Sequence, residues 1–232
     1  MKQTLTTIFT LTLTVCAWTQ IGATSFASVF DEVPQSEDTV FPNRCNENLP
    51  GWGESLGVVS FVTEQEWVIS NGEATQIWSA AVTASNCQKA SFNGGDWDLH
   101  SFNADCRSNP DQSGDLFSWC AVVRFHEKLC PAPWRVPIRQ DFVDLDRLLG
   151  GTGSWQNNSE LSDRFLTVWG GVYSGYCNGT GVLLGQGSWA RYWSQSGHSE
   201  GRGANFEIGS NSSVYPRTWY RKDSGFSVRC VR

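Results

Sequence analysis

The stretch CPAPWRVPIRQDFVDLDRLL, from Cys130 to Leu149, limits what this chain can fold into more than any other. Pro131, Pro133 and Pro137 each fix φ and remove a backbone donor, so no helix runs through them. Beyond Ile138, Phe142, Leu145, Leu148 and Leu149 recur at three and four residues. They make one apolar face, which predicts an amphipathic helix ended by Gly150-Gly151. The rest of the chain has to cover that face.

Two kinds of pattern surround it. Upstream, Leu116, Phe117, Trp119, Cys120 and Val123 predict a first helix within Asp115 to Lys128. Before that lie short strand patterns at Gly57 to Thr63 and Glu66 to Ser70 and a weaker one at Gln76 to Ala80, with Asn71-Gly72 as the turn between the last two. The polar segment Ala84 to Gly114 reads as one long loop. Downstream of Gly153, short apolar runs sit between Gly, Ser and Asn: Phe165 to Trp169, Gly171 to Tyr176, Gly181 to Leu184, Tyr192 to Ser194, Ala204 to Ile208 and Phe226 to Val231. They are expected to be antiparallel strands, since strand and helix do not alternate as a parallel sheet requires. Twelve Trp and 23 Gly suit short strands joined by shaped loops, and 40% hydrophobic residues in a 232-residue chain are enough for a real core.

The N-terminal residues read as export machinery. Lys2 precedes an apolar, Thr-rich run from Leu5 to Ala17 and then small residues, so residues 1–27 are expected to be a secretory signal peptide, with cleavage after Ala17 or Ala27. That run is shorter than the roughly 20 residues that cross a bilayer. Cys16 follows Leu13-Thr14-Val15, but Val15 stands where lipoprotein processing takes a small residue, so plain cleavage is preferred over lipidation. Residues 28–50, with Asp31, Glu32, Glu37 and Asp38 among prolines, form an acidic leader, and residues 51–232 a single domain. The net charge of -6 carries no basic cluster, which argues against a nucleic-acid partner, and no later segment is suited to spanning a membrane.

Several motifs stand in a recognisable order: DLFSWCAVV, CPAPWRVPIRQDFVDL, Gly150-Gly151, ARYWSQS at Ala190 to Ser196, and the terminal GFSVRCVR. Together they resemble the Fibrobacter succinogenes major paralogous domain, a family of exported bacterial domains, over roughly Gly51 to Arg232. The resemblance implies an α+β, C-type-lectin-like fold: two helices, small antiparallel or mixed sheets and long loops, stabilised by disulfides. It also implies a Cys130–Cys230 bridge, because it places the residue before the helix beside the last strand. In one place the chain departs from the family: Ile138 stands where Thr or Ser is usual and cannot accept an N-cap hydrogen bond, a loss of about 1 kcal/mol. The W-R-V-P and G-F-S-V-R runs also resemble the formylglycine-generating enzymes of the wider fold group, but Cys177 and Cys230 do not reproduce their reactive cysteine arrangement.

Among the other cysteines, Cys87 with Cys106 would close the polar loop, Cys45 with Cys177 is a further pairing, and Cys120, on an apolar helix face, reads as a buried free thiol. No C-x-x-C spacing supports zinc, and His100, His126 and His198 share no spacing with acidic partners. Asp96, Asp98, Asp105, Asp111 and Asp115 follow no calcium-loop pattern, so neither a metal nor another cofactor is expected. What remains is aromatic: Trp155, Trp169, Trp189, Trp193 and Trp219, with Tyr173, Tyr176, Tyr215 and Tyr220, lie among Asn, Ser, Gln and Arg. Flat ring faces beside directed donors suit sugars or peptides. Trp134, Trp169 and Trp193 sit in the shared motifs and read as core. Trp189, Trp219 and Tyr220 are the candidate contacts, with Arg191 and Arg217 as neighbouring donors. The expectation is a non-enzymatic binding module, secreted or on the bacterial surface, whose partner is a glycan or a surface protein. The alternatives are a structural or adhesin component and, behind it, a hydrolase or formylglycine-generating-like enzyme.

Overall fold

The computed structural model describes residues 59–60, 65–84, 115–179, 182–199 and 201–232. Strands β1 (Val59–Ser60), β2 (Trp67–Ser70), β3 (Thr75–Ala81) and β4 (Thr83–Ala84) precede helices α1 (Trp119–Arg124), α2 (His126–Leu129) and α3 (Arg139–Leu148). Strand β5 (Gln156–Asn157) and helix α4 (Ser159–Thr167) follow, then β6 (Tyr176–Cys177), β7 (Leu183–Leu184), β8 (Trp189–Ser199), β9 (Arg202–Gly209), β10 (Ser213–Arg221) and β11 (Arg229–Val231). One sheet has the order β5-β10-β9-β8 and another β11-β3-β2, with β1–β4 and β6–β7 as two-residue ribbons. These pairings are antiparallel, giving a mixed α+β architecture of small antiparallel sheets.

The larger sheet meets apolar side chains on both faces because successive residues of β8 point to opposite sides. Ala190, Tyr192, Phe206, Ile208 and Val214 join Phe142 and Leu145 of α3, Leu149 just after it, Leu161 and Phe165 of α4, Trp78 and Trp169 in one core. Trp193 belongs to a second, with Phe117, Trp119, Phe125, Leu129, Phe226, Val228 and both Cys130 and Cys230. Those two cysteines form a disulfide with Cα atoms 5.6 Å apart, as the resemblance implied.

Helix α3 begins without help from its own N-cap side chain, as expected for Ile138. Other groups take over. The Asp141 carboxylate accepts from the Ile138 N–H at 2.7 Å and is held by Arg135 through two bonds of 2.5 and 2.7 Å. The Arg139 N–H donates to Ser196 Oγ of β8 at 3.0 Å, so the opening turn is satisfied from across the domain. At the far end Gly150, at φ +94°, donates to Arg147 O, and Gly151 donates to Asp146 O, the paired bonds of a Schellman cap.

Four expectations need correction. Phe165 to Trp169 is not a strand: Asn158 Oδ1 caps α4 by accepting from the Leu161 N–H at 3.1 Å, and Leu161 and Phe165 are the buried face of that helix. Gly171 to Tyr176 is irregular up to Ser174, after which Gly175, at φ +74°, bridges Ala190 and Tyr176 enters β6. The first helix starts only at Trp119, where Ser118 Oγ accepts from the Ala121 N–H, and it breaks at Phe125. Residues before it are extended, with Phe117 bridging Phe226. Finally, Cys120 is not a free thiol. Cys120 and Cys177 are both disulfide-bonded, and full burial does not distinguish a thiol from half of a cystine. The proposed Cys87–Cys106 pair, Cys45, the Asp96–Asp111 cluster, the signal peptide and the leader lie outside the described residues.

Candidate ligand-binding surface

The five candidate residues fall in three places. Arg191 and Glu207 face each other directly across β8 and β9, and Glu207 also faces Tyr215 of β10, so these side chains share one row on one face of the sheet. Arg191 Nε lies 2.6 Å from Glu207 Oε2. The contact is off the N–H axis, which makes it an ion pair rather than an aligned hydrogen bond, and Arg191 Nη1 has no hydrogen-bond partner. The guanidinium carbon is 3.9 Å from the Tyr176 ring centre, 4.5 Å from Tyr220, 5.4 Å from Trp189 and 5.5 Å from Phe226.

Arg191 is therefore a buried strut inside a ring of aromatic side chains, not the surface donor that the sequence suggested; its side chain is 8% exposed. Cation–π contacts in so dry a setting are strong enough, at about 2 kcal/mol, to fix where the rings stand. Burial pushes the Glu207 carboxyl above its usual range, while Arg191 pulls it back. Burial, and then the Tyr220 hydroxyl, likewise raise Tyr176. The outer parts of Tyr176, Trp189 and Tyr220 stay half-buried. Beside them lies the β6–β7 ribbon, whose Leu184 pairs with Tyr176 and whose neighbour Val182 is 50% exposed.

Trp219 goes elsewhere. It pairs with Ala204 while Tyr220 pairs with Gly203, so the two successive side chains point to opposite faces. Its indole stacks on His198, 5.1 Å away and within 8° of parallel, and Arg202 lies 3.9 Å from its centre. The ring is exposed, but its π-surface already has partners. Arg217 is in the third place, at the bulge of β10, where Nη2 donates to Ser154 Oγ at 2.8 Å. Next to Ser154, Trp155 is 59% exposed, with the Tyr215 ring 6.1 Å away. The structure thus unites Trp189, Arg191 and Tyr220 and separates Trp219 and Arg217 from them. Sequence reasoning left Tyr176 and Glu207 out of the candidate set. The alternation of β8 and β9 could have linked Arg191 to Glu207, but nothing local reports that Tyr176 folds back onto them.

Of the histidines, His126 sits on α2 with Nδ1 2.9 Å from Val123 O, His198 is on β8, and His100 lies outside the described residues. Among the described residues no group of three His, Cys, Asp or Glu side chains converges to hold a metal, and no helix is long and apolar enough to cross a membrane.

An α+β domain of small antiparallel sheets, tied by a disulfide across a separation of 100 residues, is a construction suited to an oxidising, extracellular setting. Residues 62–232 match the family model of the Fibrobacter succinogenes major domain, and the chain belongs to that family. No curated protein and no solved structure matches it.

Proposed function

We propose that this chain is an exported binding module of C-type-lectin-like fold, secreted or displayed on a bacterial surface, which recognises carbohydrate or peptide and performs no catalysis. The observation that carries this reading is the aromatic enclosure of the Arg191–Glu207 pair: Tyr176, Trp189 and Tyr220 are held at fixed positions with their outer parts half-exposed. Rings fixed in advance lose little freedom on binding, so stacking contributes more fully to affinity. A glycan array probed with the purified, disulfide-intact domain, with and without EDTA, tests it. Binding that survives EDTA is expected, and silence on every glycan would count against carbohydrate as the ligand.

A second reading has its own support. Val182 at 50% and Leu184 at 39% exposure put apolar surface beside the same rings, as a component packed against another envelope protein would. Cross-linking on intact cells followed by co-purification distinguishes it, since a structural component is recovered with a fixed partner.

A further inference from the structure

The loop that carries Trp155 is anchored more heavily than its length requires. Asp146, fully buried, accepts from the Gly153 N–H at 2.6 Å and from Gln156 Nε2 at 3.1 Å. Gly150 and Gly153 take positive φ, and a Cβ at Gly151 would lie 2.2 Å from the Asp146 carboxylate. Arg164 Nη1 donates to Leu149 O at 2.8 Å where the loop begins, and the pairing of Gln156 with Val214 fixes where it ends. Burying a carboxylate is costly unless it is well bonded, and here its bonds hold one short turn in shape. What that turn presents is the most exposed large ring among the described residues, Trp155.

Two neighbours make this more than a lone surface ring. Tyr215 is 6.1 Å away and inclined at 37°, so the two rings flank a shallow angle rather than closing on each other. Arg217, exposed and making no ion pair among the described residues, is held beside them by its bond to Ser154. A rigid aromatic face beside an uncompensated guanidinium matches a ligand with both a flat C–H face and a carboxylate on the same unit. A neutral sugar would leave Arg217 without a charge partner, and a peptide would place its acid and its flat apolar face on separate residues, whereas a uronic acid carries both on one ring. We propose that Trp155, Tyr215 and Arg217 form a subsite for a uronic-acid residue of an acidic polysaccharide. This rests on the reading of the domain as a carbohydrate-binding module and places a distinct subsite near the Arg191 enclosure.

The test is calorimetric titration of the full domain with galacturonate, glucuronate and mannuronate oligosaccharides and with the neutral oligosaccharides that lack the carboxylate. An acidic oligomer should bind at least about tenfold more tightly than its neutral counterpart. Arg217→Gln should erase that preference while leaving neutral binding in place, and Trp155→Ala should weaken both. Both positions are exposed, and circular dichroism verifies that each variant keeps the fold. Neutral binding equal to acidic, or acidic binding indifferent to Trp155→Ala, would overturn the subsite and leave the carbohydrate reading standing. Binding of none of these oligosaccharides would overturn the subsite, while the glycan array decides the carbohydrate reading separately.

Discussion

Arg229 shows how far a single side chain can depart from its sequence context. It is fully buried, donates from Nε to Ser79 O and from Nη1 to Trp169 O, both at 2.6 Å, and lies 4.2 and 4.3 Å from the Trp169 and Trp67 ring centres. Burial lowers its pKa to about 10. Arg229→Ala should cost roughly 3 to 5 kcal/mol in urea unfolding, because two buried carbonyls lose their donors along with the packing. Gly203 makes the complementary point: a Cβ there would lie 2.3 Å from the Trp119 ring, so Gly203→Ala should cost about 1 to 3 kcal/mol by overpacking. Neither was legible, since an Arg in GFSVRCVR and a Gly beside a turn look the same whether they face inward or outward. The buried acids Asp146 and Glu207 set a pH dependence. Burial holds both above their ordinary values, so the folded state keeps their protons longer than the unfolded chain does. The stability this contributes is complete below the ordinary carboxylate range and is lost as pH rises through the raised values. Urea unfolding as a function of pH should show that decline, and Asp146→Asn should reduce it while leaving the part due to Glu207.

Among the elements, those with local grammar were legible. Helix α3 had its periodicity and its glycine stop, and the turn at Asn71-Gly72 was correct: Asn71 Oδ1 accepts from the Glu73 and Ala74 N–H groups, and Ser70 pairs with Thr75. The Ile138 cap is expected to be deficient; Asp141 replaces it locally, three residues on, but the second replacement, Ser196, depends on strand β8 arriving from 57 residues away. Ser196→Ala should therefore cost about 1 kcal/mol despite lying outside the helix. Two elements were not legible. In α4 the residues Leu161 and Phe165 repeat at helical spacing, but the apolar run ending at Trp169 is as short as a strand. In β10 Pro216 argues against any strand, and the strand tolerates it because its register with β9 shifts between Tyr215 and Thr218. The Trp155 loop was invisible for a related reason: Asp146 reads as an ordinary polar position of α3 until the fold turns it inward.

At the scale of the molecule, the sequence supported two main helices and antiparallel sheets, but not a sheet with a core on each side. That arrangement depends on which apolar run packs where, which short strands with similar patterns do not specify. The Cys130–Cys230 bridge closes a loop of 100 residues. Replacing both cysteines with Ala should lower stability by about 4 to 5 kcal/mol, measured by urea unfolding under oxidising conditions. The same closure bears on synthesis. Strand β3 takes β11 as a neighbour, with Arg229 bonded to Ser79 across 150 residues. At the usual pace of translation, β3 is made roughly ten to thirty seconds before β11. Throughout that interval the smaller sheet lacks an edge and the chain has no closed domain to adopt. A polypeptide built this way cannot complete its smaller sheet until β11 has left the ribosome.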